Sequence, residues 1–184
     1  MKKRLRAVLA LILIILLCLP AIAQTADPDA LCALTIDCHY ENKPVSGMGF
    51  SLYRVAALSP QGEHTLLPAY EDSGIVLGNL RDAADWRQAA GLLDQWVEQQ
   101  SISPEKQLTT VADGKAALEG LPTGLYLLCA APYQKGGCTY TTTPVLLELP
   151  AQQAGGGWQY AATVEPKLER SGTPEPPVII IPDN

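Results

Sequence analysis

Residues 107–131 read QLTTVADGKAALEGLPTGLYLLCAA, and this stretch decides the fold. Gln107 to Ala112 alternates and runs into Asp113-Gly114, a pair that favours positive φ and signals a hairpin, with Lys115 to Leu118 as the return strand. Gly120-Leu121-Pro122-Thr123-Gly124 then makes a tight turn feeding Leu125 to Ala131, in which Tyr126, Leu128 and Ala130 point one way. Short extended runs punctuated by turn residues are the signature of an all-β sandwich.

Upstream, Leu34, Ile36 and Cys38 alternate with Thr35, Asp37 and His39 as one strand over 31–40. Glu41-Asn42-Lys43-Pro44 is turn chemistry, and Gly47 to Ala56 supplies a strand with apolar residues on both faces, so a central one. Short strands are expected at 64–69 and 75–77. The exception to β structure is one helix over about 82–100. Asp82 caps it, and Trp86, Ala89, Leu93, Trp96 and Val97 form a stripe at three- and four-residue spacing. That stripe reads as the face that anchors the helix to a sheet, in preference to a pair of tryptophans offered as a sugar platform. Downstream, Val145, Leu147 and Leu149 alternate, as do Trp158, Tyr160, Ala162 and Val164 in the last strand.

The ends carry different information. Lys2, Lys3, Arg4 and Arg6 precede an apolar run from Ala7 to Leu19, and Ala21-Ile22-Ala23 follows Pro20. This is the pattern of a secretory signal peptide, residues 1–23, with cleavage after Ala23. The run is too short for a membrane span, and a lipid anchor on Cys18 is disfavoured by bulky Leu17 before it. Residues 24–30 are expected as a flexible lead, 31–168 as the domain and 169–184 as a Pro-rich tail ending in Val178-Ile179-Ile180-Ile181.

Four of the 13 Lys and Arg residues lie in the signal, so the mature chain sets 9 cations against 19 carboxylates, a net charge of −10. Such a surface does not suit nucleic acid or an anionic membrane, which recruit clustered cations. Export permits disulfides among Cys32, Cys38, Cys129 and Cys138. Cys32 and Cys38 on one strand lie about 20 Å apart, beyond bridging distance, so they do not pair with each other. The open options are Cys129 with Cys138, either of these with an N-terminal cysteine, or four reduced thiols. The catalytic inventory is thin: His39 and His64 are the only histidines, read as solvated or turn residues, and nucleophile, zinc, phosphate-loop and dinucleotide motifs are lacking. No enzyme, cofactor or metal is expected.

Lys43-Pro44-Val45-Ser46-Gly47, Phe50 to Ala56, Ala112 to Ala116 and Gly120 to Leu128 together resemble SpaA-like and Cna B-type modules of Gram-positive pilins, over roughly 31–168. The resemblance implies an immunoglobulin-like or prealbumin-like β-sandwich with one inserted helix. It implies a secreted or wall-associated structural and adhesive role, with other pilin subunits, a sortase and a host protein or glycan as partners. The family's internal Lys–Asn/Asp isopeptide bond is not expected, because the lysine and acid positions read Ile36-Asp37-Cys38-His39 and Cys129-Ala130, and the last strand holds no Asn or Asp. The family's pilin motif, W-x3-V-x-V-Y-P-K, is matched by Trp158, Val164, Pro166 and Lys167, while Ala162 and Glu165 depart from it. By that resemblance Lys167 is the candidate acceptor of a sortase-made intermolecular isopeptide bond. The LPxTG signal, apolar span and basic tail of sortase substrates are not in the sequence, leaving release, retention through Lys167 or a longer chain as the expectations. The competing reading is a secreted carbohydrate- or host-protein-binding sandwich.

Overall fold

The computed structural model describes residues 25–154 and 156–174; the expected signal peptide and most of the expected tail lie outside the described residues. Fifteen strands and one helix are described. In chain order they are β1 (Cys32–Asp37), β2 (His39–Tyr40), β3 (Lys43–Pro44), β4 (Gly49–Leu58), β5 (His64–Leu66), α1 (Ala83–Gln99), β6 (Lys106–Thr109), β7 (Lys115–Leu121), β8 (Gly124–Cys129) and β9 (Tyr133–Lys135). They continue with β10 (Cys138–Thr142), β11 (Val145–Leu149), β12 (Ala151–Gln152), β13 (Trp158–Gln159), β14 (Ala161–Val164) and β15 (Leu168–Gly172).

Two sheets face each other. One has the order β14-β1-β7, with β14 parallel and β7 antiparallel to β1. The other has the order β11-β8-β4, with the far side of β4 shared between β6 at its start and β5 at its end. Between them lies a core of Cys32, Leu34, Ile36 and Cys38 from the first sheet against Phe50, Leu52, Tyr126, Leu128 and Leu149 from the second. Helix α1 covers the outer face of the second sheet and buries Ala89, Ala90, Leu93 and Val97 on Val55, Ala56, Leu125, Leu127 and Leu146. Three layers therefore sandwich β8, and both faces of Leu125–Leu128 are dry, which is why its sequence is apolar without interruption. Fully burying one leucine such as Leu93 stabilises by about 1.5–3 kcal/mol.

Alternation from Tyr126 to Ala130 held: Tyr126, Leu128 and Ala130 meet the sheet-to-sheet core, and Leu125, Leu127 and Cys129 meet the helix side. In β4 a bulge between Arg54 and Ala56 turns consecutive Val55 and Ala56 both toward the helix. The helix starts as expected. Asp82 Oδ1 accepts from the N–H groups of Ala84 (2.8 Å) and Asp85 (3.0 Å), and Asp85 Oδ2 accepts from Asp82 N–H.

Several local expectations changed. The strand 31–40 breaks at Cys38, whose N–H donates to Gly114 O (2.9 Å) and whose carbonyl accepts from Val45 N–H (2.9 Å). Asp113-Gly114 does make a tight turn, with Val111 N–H donating to Lys115 O (2.8 Å), yet its arms separate. β6 joins β4 and β7 joins β1, because Leu108 and Ala116 must close the core from opposite sheets. In place of a strand at 75–77 there are two 3₁₀ turns, Pro68–Ser73 and Leu77–Asn79, with Gly74 at φ 76° between them and Ile75 plugged beneath α1. The last strand splits at Tyr160, so Trp158–Gln159 pairs with β12 while Ala161–Val164 pairs with β1.

The lead is tied down where described. Ala26 is buried and its N–H donates to Pro60 O (3.1 Å), and Thr123 Oγ1 donates to Pro28 O (3.0 Å). At the other end β15 pairs with β10 through Gly172, beyond the boundary expected at residue 168.

Candidate functional site

β14 runs parallel beside β1 with Val164 opposite Ile36, and the chain leaves the sheet at Glu165. Pro166 is buried, lacks an N–H to continue the ladder and ends the strand. Lys167 follows it, exposed, just before Leu168 re-enters the core. The lysine is thus clamped between two buried neighbours while its own side chain faces out.

A cavity of about 620 Å³ opens at this point, lined by Asp37, His39, Glu41, Asn42, Glu165, Pro166 and Lys167. Its far wall comes from the β1–β2 junction. Cys38 is fully buried in the core, so strand alternation puts Asp37 and His39 together on the opposite side. Glu41 (φ 49°) and Asn42 (φ 62°) form the two-residue loop of the β2–β3 ribbon, where a hairpin of type I′ requires both positive angles. Asp37 holds two partners: Oδ1 lies 2.6 Å from His39 Nδ1, and Oδ2 lies 3.4 Å from Lys115 Nζ on β7. The cavity therefore sets three carboxylates (Asp37, Glu41 and Glu165) around one imidazole and the Lys167 amine.

Of the pilin-motif residues, Pro166 and Lys167 line the cavity, whereas Val164 packs on the core. Trp158 sits on the β12–β13 ribbon, its ring against the turn at Gly62 (φ 85°), where a Cβ would stand 3.1 Å from it. His39, expected as a solvated or turn residue, lies against Asp37, a partnership legible in the sequence only as an i, i+2 pair on one strand face. His64, expected in a solvated turn, is instead mostly buried, with Nδ1 3.8 Å from Glu148 Oε1. Burial lowers its pKa, and Glu148 works against that shift.

The four described cysteines are free thiols. The fold keeps Cys129 from the N-terminal pair: Cys32 and Cys38 face the sheet-to-sheet core and Cys129 faces the helix, with the sheet between them. Cys38 Sγ instead contacts Met48 Sδ at 3.7 Å. Burial pushes the Cys32 and Cys38 thiols up to about 11, with Asp37 adding to the second, and raises Cys129 further still. All five described lysines, Lys43, Lys106, Lys115, Lys135 and Lys167, are exposed, so none occupies the dry pocket an internal isopeptide bond needs. No group of three or more His, Cys, Asp or Glu among the described residues is arranged to hold a metal ion. Trp86 and Trp96 are partly buried on the helix-side core, and Trp96 Nε1 donates to Ala69 O (2.9 Å), which favours the anchoring role over a sugar platform.

No protein-family model and no curated protein matches the chain. Solved structures do. The T6 backbone pilin of serotype M6 Streptococcus pyogenes superposes with a TM-score of 0.53 at 16% identity, over 79% of this chain and 29% of that one. The SpaE basal pilin from Lactobacillus rhamnosus GG gives 0.51 at 13% identity, over 76% and 49%. The chain thus spans from under a third to about half the length of these two pilins. Its described residues share the β-sandwich fold of these pilin domains.

Proposed function

We propose that this chain is a structural module of a Gram-positive surface fibre, exported by its first 23 residues, and that Lys167 is the amine through which a sortase joins it to another subunit. The single observation that carries the reading is the placement of Lys167. It follows a strand-ending buried proline and stands exposed at the lip of a polar cavity. A four-carbon stem on a fixed backbone gives an amine both reach and a defined origin. The domain's work is mechanical: a three-layer core carries load, and the link at Lys167 passes it to the next subunit. No described helix is long and apolar enough to cross a membrane.

Incubation of the purified protein with a pilin-type sortase and an LPxTG peptide tests this. The wild type gains the mass of the acyl peptide, and Lys167→Ala does not. Equal modification of the variant would remove Lys167 from the reaction.

A further inference from the structure

Asp37 Oδ1 is buried and makes no hydrogen bond of ordinary geometry, and the group set against it is His39 Nδ1 at 2.6 Å. A ring proton on Nδ1 would satisfy that oxygen. With Nδ1–H donating to the carboxylate, the lone pair of the neutral ring sits on Nε2. The ring lines the same cavity as Lys167, and Lys115 holds the other carboxylate oxygen at 3.4 Å. A carboxylate set against an imidazole that shares a cavity with a nucleophilic amine is an arrangement in which the ring can act as a base.

We propose that His39, positioned by Asp37, takes the proton from Lys167 when that amine attacks a thioester carbonyl. The inference rests on the reading of Lys167 as acyl acceptor. The acyl donor is a peptidyl thioester. The Lys167 ammonium passes one proton to His39 Nε2, and the freed nitrogen lone pair forms the N–C bond. The nitrogen then sheds a second proton as the C–S bond breaks and the electron pair leaves on sulfur. Of the two protons, one ends on the departing thiol and the other in solvent. The charges facing the ring are Asp37 on its own strand run, Glu41 in the β2–β3 loop, Glu165 and Lys167 after β14, and Lys115 on β7.

The test needs no sortase. The full chain is treated with the N-acetylglycine thioester of methyl thioglycolate from pH 5.5 to 9.5. Acylation of each lysine is followed by peptide mapping, with exposed Lys43, Lys106 and Lys135 as internal standards. A base in place makes Lys167 react about 10²-fold faster than the standards near pH 7. Its rate profile against pH differs in shape from that of the standards. His39→Ala and His39→Gln bring Lys167 down to the standards and give it their profile. Asp37→Asn lowers the Lys167 rate. Circular dichroism melts check that each variant is folded, and the wild-type profile is informative without any variant. A Lys167 rate that tracks the standards at every pH, or is unchanged in both His39 variants, overturns the proposal. The sortase experiment separates the two claims. A His39-independent adduct on Lys167 keeps the acceptor reading and sinks the base, whereas His39-dependent thioester chemistry with no sortase adduct does the reverse.

Discussion

Replacing Thr110 with valine should destabilise the domain more than replacing it with serine, against the order that burial of apolar surface would give. Thr110 is 3% exposed. Its Oγ1 donates to Val45 O (2.7 Å) and accepts from Met48 N–H (3.0 Å), and both partners are buried. Valine keeps the shape and removes the hydroxyl, so a buried carbonyl and a buried N–H lose their partner together. At about 1–3 kcal/mol for each orphaned group the loss is roughly 2–6 kcal/mol. Serine keeps both bonds and deletes one methyl, costing about 1 kcal/mol. In urea, with a slope of about 2 kcal/mol per molar, Thr110→Val should move the unfolding midpoint down by about 1–3 M and Thr110→Ser by about 0.5 M. The reasoning fails if the valine variant unfolds at or above the midpoint of the serine variant.

Gly114→Ala should cost about 2–4 kcal/mol, because φ is 79° there and a Cβ would stand 2.5 Å from Cys38 O; thermal melts against wild type measure it. His64 is held below its ordinary pKa by burial, so the unfolded chain binds its proton first. The contribution is therefore complete above the unfolded pKa and lost as pH falls below it. Between about pH 7 and 5, His64→Gln should lose less melting temperature than wild type. Cys32, Cys38 and Cys129 should resist Ellman's reagent at pH 8 in the folded protein and react fully in denaturant, since burial disfavours their thiolates. Fast native labelling of any of the three would contradict the packing described.

What the sequence disclosed follows from where the physics is local. The α1 stripe, the cap at Asp82 and the inward turn of Tyr126 and Leu128 are set by periodicity and nearest neighbours, and the structure has them. Pairing across the chain is a different matter. Nothing near Asp113-Gly114 says that its two arms belong to different sheets, because that choice is made by distant strands β1 and β4. The parallel seating of β14 on β1 was equally hidden, and it is what brings Lys167 to the rim that Asp37 and His39 line. The lysine was legible through its resemblance to a motif; its surroundings required the fold. Ile75 misled because a single buried plug between two 3₁₀ turns looks, in sequence, like a short strand.

Fragment mass spectrometry of the sortase-joined product tests the account most directly. The wild-type protein, coupled to an LPxTG donor and digested, should yield a branched peptide with the donor's threonine carbonyl on the Lys167 side chain. A branch on Lys43, Lys106, Lys115 or Lys135 in place of Lys167 would contradict it.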